Sequence, residues 1–572
     1  MRRIRNDVLT FGLLWIPYAL LVRHFWFITD DAFIAYRYAR NLADGFGLRF
    51  NPSETLPVEG YSDFLWVLFC AACEALHLNM LIIPPLASFL CGSLLLLLVY
   101  VVSRRRLGLN LPTAALATLT LGCFPPFALW STSGLETMPF ALLVFAVFER
   151  LILRKDGPDA VGGGVLGLLM ALIRLEGLAW FLAILILAVL VRRRNPDVGG
   201  VSRTRGSLLP AVFIVGIGYA CYFAWRYWYY QLPLPNTVYA KGEMTPERLL
   251  RGVNYVATFA LTFLTPLLVV PGTWLALRKK RIHLGLPIAI LAWAFPAYAV
   301  LVTGDFMVMG RFLIPGLAFN AILFAWLIDA LRGDTRARRT ASWFATAAVI
   351  VVGLLPALPG AANVHLVPKS IRERFCFRYN VEQYKTELDQ WYAQQANADD
   401  WTRRGKGLRE YVRQRSFDDP HPSFVAGAVG AVGYYSDLFI YDKHGLVTPD
   451  VARRATSPDE ELRSPGHDKY VPAEYFLKDR PTILEAYVID VADPCFVART
   501  CSEQERRRHS AKPEQQLDKL YTTDVARVVV NDHPYYVITW TRIADGVDPA
   551  AAADEFRKKL EILTRGSHLP VR

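Results

Sequence analysis

Eleven apolar runs occupy most of the first 360 positions of this 572-residue chain, and they leave room for few architectures. They lie at about 8–28, 81–102, 111–130, 136–152, 160–173, 177–191, 207–230, 254–277, 284–302, 312–331 and 341–359. Roughly 15–24 helical residues cover the ~30 Å interior of a bilayer. Only helices or closed barrels satisfy every backbone amide in lipid. The chain is 53% hydrophobic and 13% aromatic, with mean hydropathy +0.25, more apolar than a soluble chain of this length. The expectation is a polytopic α-helical membrane protein with about eleven transmembrane helices. The first run follows "MRRIR", as a signal peptide would. It has no small-residue cleavage site and runs directly into Asp30 and Asp31, so it reads as a retained helix.

The net charge of +12 comes largely from short loops between runs: "SRRRLG", "LRKD", "VRRRNPDVGGVSRTRG", "LRKKRIH" and "LRGDTRARR". A basic total suggests nucleic acid, but this placement is that of cytoplasmic anchors obeying the positive-inside bias. Membrane lipid is the expected partner, and nucleic acid is not. With the N-terminus inside, every basic loop falls on the inner side. The other loops then gather on the outer side: residues 29–80, "STSGLET", "RLEG", "QLPLPNTVYAKGEMTPER", "TGDFMVMGR" and the tail. This requires residues 63–78 to lie along or dip into the outer face, which their short run with Glu74 and His77 allows.

The expected division is a transmembrane domain over 1–360 and a soluble domain over 361–572. The tail is charged, with an expected helix over 380–401 and strands in "SFVAGAVGAVGYYSDLFIYDKHGLVTP", "TILEAYVIDVAD" and "VARVVVNDHPYYVITWTRI". That composition fits an α/β domain of about 200 residues. Cys70, Cys73, Cys91, Cys123 and Cys221 sit in or beside apolar runs as small hydrophobes. A Cys495–Cys501 disulfide is open if the tail lies outside the cytoplasm.

The outer loops carry the residues with chemistry. Asp30 and Asp31 stand at a membrane edge; a helix N-cap accounts for one acid and not for two. The next segment is amphipathic, with Phe33, Ile34, Tyr38 and Leu42 suited to lipid or protein and Arg37 and Arg40 suited to a phosphate or head group. "VEGYSD" adds Glu59, Tyr61, Ser62 and Asp63, and "STSGLET" adds Glu136. "IRLEG" adds Arg174 and Glu176, "PNTVYAKGE" adds Asn236, Tyr239 and Lys241, and "TGDFMVMGR" adds Asp305 and Arg311. Any one of these reads as a solvated loop; together, on one side and at one depth, they suit a transport gate or an active site. Carboxylates there can activate a hydroxyl, and Arg and Lys can hold a phosphate. No Walker loop, Gly-x-Ser-x-Gly turn, His-Glu-x-x-His motif or dinucleotide glycine pattern is present, so nucleotide-driven chemistry is not expected. A transporter would show pseudo-repeated halves and acids in mid-helix; here there is no repeat, and the acids are at the ends.

"ITDDAFIAYRYARNLADGFGLRFNPSETLPVEGYSDFLW", with "STSGLET" and "IRLEG", resembles the GT-C class of polyprenyl-phosphate-sugar glycosyltransferases. Within it the chain looks most like the AftB-type arabinofuranosyltransferases of the actinobacterial cell wall. The likeness covers roughly residues 25–180, with Leu175 where the family has proline, and the wider shape is also ArnT-like and protein-mannosyltransferase-like. The resemblance implies a multi-pass protein of the bacterial cytoplasmic membrane, with its active site and tail facing the periplasm. It implies transfer of a sugar, D-arabinofuranose in the AftB-type, from a polyprenyl-phosphate donor to a cell-envelope glycan. Other sugars, mannosyl or aminoarabinosyl, and lipid or sugar transport are the alternatives. Asp30 or Asp31 would act on the acceptor hydroxyl or at the anomeric carbon. Arg37, Arg40, Arg174, Lys241 and Arg311 would hold the phosphate. Glu59, Tyr61, Glu136, Glu176, Asn236, Tyr239 and Asp305 would support the site or the acceptor. An acid pair near a phosphate also has the donors for Mg²⁺ or Mn²⁺, and metal use stays open.

Overall fold

Each apolar run is helical, although the helices differ in reach. The computed structural model describes residues 2–154, 157–194, 207–278, 282–333, 335–359, 386–455, 465–491 and 517–564, and residues 368, 370, 371, 499–501, 503, 504 and 507 besides. Among these, five helices are long and apolar enough to cross a membrane: Ile83–Arg106, Leu209–Tyr230, Leu284–Leu301, Val308–Arg332 and Arg336–Ala357. Other expected spans form shorter apolar helices, such as Leu111–Gly122 and Ala160–Ile173. The Cys495–Cys501 pairing and the expected start of the tail helix at 380 fall on Cys495 and on residues 380–385, outside the described residues.

The expected straight span at 254–277 is instead broken. Helix Pro246–Phe263 ends at Leu264, and the chain leaves at 96° through Thr265–Leu268 into Val269–Arg278. Pro266 is the cause. It has no N–H to donate, and its ring disfavours helical backbone just before it; Leu264 takes up the turn at φ +57°.

Residues 63–78 form helix Phe64–Ala75, twelve residues laid beside helix Asp30–Ala43 and too short to span. The amphipathic segment that was expected at the bilayer edge is this second helix. Phe33, Ile34 and Tyr38 are buried in protein.

The C-terminal part carries one five-stranded sheet: β1 (Ser423–Ala426), β2 (Phe439–Asp442), β3 (Ile483–Asp490), β4 (Tyr521–Val530) and β5 (His533–Arg542). Its order is β2-β1-β3-β5-β4. β1 pairs parallel with β2 and β3; β3–β5 and β5–β4 are antiparallel. Parallel neighbours need a crossover. The expected strand–turn–strand at 423–442 is therefore strand, helix Gly430–Ser436, strand. Long helix Glu387–Arg413 packs on β3 and β4 and reaches back to the bundle. It is started by a capping box in which the Thr386 hydroxyl accepts from the Asp389 N–H (3.0 Å). Its Trp391 ring lies 5.1 Å from Phe25, and one continuous apolar core runs from the helical bundle into the sheet.

Candidate active site

The paired aspartates divide their roles at the start of helix Asp30–Ala43. This helix lies alongside Gly430–Ser436, and its side chains serve both ends of that shorter helix. The Asp30 carboxylate accepts from the N–H groups of Ala431 (2.7 Å) and Gly430 (3.3 Å), two of the donors a helix start leaves unpaired. A Cβ on Gly430 would stand 2.0 Å from the Asp30 carbonyl oxygen, so only glycine fits there. At the other end the Arg37 guanidinium donates to the carbonyls of Gly433 (2.5 Å), Leu438 (2.6 Å) and Phe50 (2.7 Å) and to Asn51 Oδ1 (3.2 Å). Arg40 donates to the Tyr434 carbonyl (2.6 Å) and pairs with Asp437 (2.6 Å). An acid at the N-terminus and cations at the C-terminus also complement the helix dipole.

These contacts engage Asp30, expected to act on the substrate, and Arg37 and Arg40, expected to hold phosphate, in joining the two parts of the chain. Both Asp30 oxygens are occupied, four of the five Arg37 donors are used, and all three residues bind the C-terminal part to the bundle. Replacing Arg37 with Met leaves buried carbonyls without donors and is expected to destabilise the fold by about 3 kcal/mol. Thermal unfolding of the detergent-solubilised protein measures this, and an unchanged midpoint would contradict the assignment.

Three of the supporting residues are likewise engaged in bracing. Glu59 takes a forked ion pair from Arg226, at 3.1 and 2.5 Å. The Tyr61 hydroxyl meets that of Tyr230 at 3.0 Å. Asn236 donates to the carbonyls of Gly445 (2.7 Å) and Leu446 (2.8 Å), another tie to the C-terminal part. Tyr239 is half-buried on helix Asn236–Ala240 and makes no hydrogen bond among the described residues.

The remaining candidates converge. Asp31, one residue on from the docking acid, is half-buried and faces Arg311, Asp305 and Glu136. Glu136 and Glu176 share Arg174, through Nη1 at 2.5 Å and Nε at 2.6 Å. Arg311 Nε pairs with Asp305 at 2.7 Å, and its guanidinium lies 6.0 Å above the Trp130 ring. Lys241 is exposed, forms no ion pair among the described residues, and is drawn electrostatically towards Glu176 and Asp305. Arg311 Nη1 and Nη2 also make no hydrogen bond among the described residues. The loops thus bring together one accessible carboxylate, two cations with donors to spare, and a Glu–Arg–Glu frame in which Glu136 is buried and Arg174 and Glu176 are half-buried.

Local chain geometry explains the placement. Gly134, in "STSGLET", has φ +80°, and a Cβ there would meet the Tyr36 hydroxyl at 2.7 Å and Ala32 at 2.9 Å. The turn can therefore sit against the aspartate-bearing helix only with glycine at that position. Its carbonyl accepts from Trp66 Nε1 (3.0 Å), and the Ser133 carbonyl accepts from the Thr29 N–H (3.1 Å). The Leu175 N–H donates to the Ser62 carbonyl (3.1 Å), joining "IRLEG" to the segment that carries Asp63.

Electrostatics separate the acids. Burial pushes the Asp31 carboxyl up to about 6; Arg311 pulls it down, and Asp305 and Glu136 push it up. Burial and then Glu136 raise Asp63, against Arg174. Asp63, one of the outer-loop acids the sequence offers, belongs to this frame. Tyr255, whose hydroxyl accepts from the Phe312 N–H (3.2 Å), and Glu387, which accepts from the Met309 N–H (2.7 Å), had no local sequence signal. Among the described residues no group of three or more His, Cys, Asp or Glu side chains is placed to hold a metal ion.

Residues 386–545 match the family described as "Domain of unknown function (DUF8728)". No curated protein matches the chain. Two solved structures of ArnT from Cupriavidus metallidurans align along nearly the whole chain. The one bound to undecaprenyl phosphate gives a TM-score of 0.53 at 13% identity, covering 93% of this chain and 97% of that one. The apo structure gives 0.53 at 14%, covering 94% and 98%. The Archaeoglobus fulgidus oligosaccharyltransferase aligns at TM-score 0.48 with 12% identity, covering 95% of this chain and 75% of that one. The chain therefore shares with ArnT the membrane-helical GT-C fold.

Proposed function

We propose that the chain is a membrane glycosyltransferase that moves a sugar from a polyprenyl-phosphate donor to an acceptor hydroxyl. The observation that carries this reading is the cluster at the loop ends: Asp31, with no hydrogen bond to its carboxylate among the described residues, faces Arg311, and Lys241, with no ion pair among the described residues, lies near Arg311 and Asp305. ArnT, which shares the fold, was solved with undecaprenyl phosphate bound.

In the step, Asp31 takes the proton of the acceptor hydroxyl as the oxygen attacks the anomeric carbon. The new C–O bond forms, the bond from that carbon to the phosphate oxygen breaks, and polyprenyl phosphate leaves with the electron pair. Arg311 and Lys241 stabilise the charge that grows on the phosphate. Arg174, committed to Glu136 and Glu176, supports the cluster. The sugar is D-arabinofuranose and the acceptor a cell-envelope glycan, on the strength of the 25–180 sequence likeness. The basic loops put the cluster and the 361–572 domain on the outer side of the cytoplasmic membrane, with 1–360 as the membrane domain.

The test is transfer by purified protein from a panel of radiolabelled polyprenyl-phosphate sugars, with arabinofuranosyl, mannosyl and aminoarabinosyl donors side by side. Transfer is expected with the arabinofuranosyl donor. Transfer from another donor alone replaces the sugar, and lipid translocation in proteoliposomes without any transfer overturns the reading.

A further inference from the structure

The loop carrying Asp305 and Arg311 is bounded at both ends by left-handed backbone. Thr303 and Gly304 have φ +66° and +81°; Met309 and Gly310 have +53° and +67°. Non-glycine residues in this region persist only where their surroundings over-determine them. Here each end is held by a buried carboxylate of the C-terminal part. Glu387, on the first turn of helix Glu387–Arg413 and 6% exposed, accepts from the Met309 N–H through Oε2 at 2.7 Å. Asp468, 2% exposed, pairs with Arg251 at 2.8 Å. Arg251 in turn donates to the Thr303 carbonyl (3.1 Å) and hydroxyl (2.8 Å). The bundle adds one hold between them, from Trp130 Nε1 to the Val308 carbonyl at 3.2 Å.

We propose that Glu387 is a positioning residue for the reaction: with Asp468, which acts through Arg251, it fixes the 303–311 loop so that Arg311 presents its unused N–H groups to the donor phosphate. This rests on the reading of the cluster as a polyprenyl-phosphate site. It makes the C-terminal part a component of the active site, because the Met309–Gly310 turn immediately before Arg311 takes its buried acceptor from that part. Glu387 touches no substrate.

The test uses the full-length protein in detergent with undecaprenyl phosphate as the probe. Glu387→Ala is expected to weaken binding about tenfold, to raise the donor KM and lower kcat together because Arg311 serves both donor binding and the developing charge, and to speed amide exchange across 303–311 while the apolar helices keep their protection. Glu387→Gln retains an acceptor oxygen and is expected to stay within about twofold of the wild type. Should Glu387→Ala not fold, Glu387→Asp, which retracts the carboxylate by one methylene, is read the same way. Wild-type binding and loop exchange in the Ala or Asp variant would overturn the proposal, as would a Gln variant as impaired as Ala. If the wild-type protein binds no undecaprenyl phosphate, the functional reading falls, and loop exchange alone still decides whether Glu387 holds the turn.

Discussion

Asp31→Asn is expected to lower kcat by about 10³-fold, within the range for removing a general base, with the fold and donor binding left in place. Asp30→Asn is expected to do the opposite. It keeps an oxygen for the Ala431 N–H, so turnover survives, and the loss shows as weaker docking of the C-terminal part. The adjacent acids are thus separable by one assay of transfer and one of unfolding. Equal loss of turnover in both variants, without unfolding, would reject the division of roles.

The pH profile supplies the sign. A base works as its carboxylate. Asp31 is raised from 3.8 to about 6 by burial, with Arg311 opposing and Asp305 and Glu136 contributing negative charge around it. Transfer is therefore expected to be full above about pH 7 and to fall tenfold per unit below about 6. An acid limb near 4 would mean that Asp31 is not the base.

Why one acid of the pair docks and the other faces Arg311 was not legible in the sequence. Asp30 caps a helix whose first N–H groups lie 400 positions away, and backbone donors carry no side-chain signature. Arg37 illustrates the same limit, since its partners are carbonyls and any sequence there supplies carbonyls. The amphipathic pattern of helix Asp30–Ala43 correctly marked a helix with two faces. The polar face met the C-terminal part where a phosphate was expected, because pattern reports polarity and not partner. Loop chemistry fared differently. Asp31, Glu136, Arg174, Glu176, Lys241, Asp305 and Arg311 are ionisable groups that the charge bias gathers at one end of the bundle, and the structure brings them together. The break at 264–268 was present in "LTP" within an apolar run, where length and hydropathy alone pointed to a continuous span.

Arg311→Met carries the second large expectation. Asp305 fixes Arg311 through Nε, and the two Nη groups make no hydrogen bond among the described residues. A guanidinium held by one edge presents a planar pair of donors that matches two phosphate oxygens, and a lysine cannot reproduce that fork. Removing a preorganised donor to developing charge costs about 10²–10³ in kcat, and Arg311→Lys is expected to recover part of it. The variant has a second, independent signature. Arg311 is the group that opposes the rise of the Asp31 pKa, so its loss must move the acid limb of any remaining activity to higher pH. Asp305→Asn provides the converse, because removing a neighbouring negative charge lowers the Asp31 pKa and moves that limb down. Opposite shifts in the two variants would tie the phosphate-holding cation and the proton-accepting carboxylate into one electrostatic unit, whereas an acid limb that neither variant moves would assign the base to a different carboxylate.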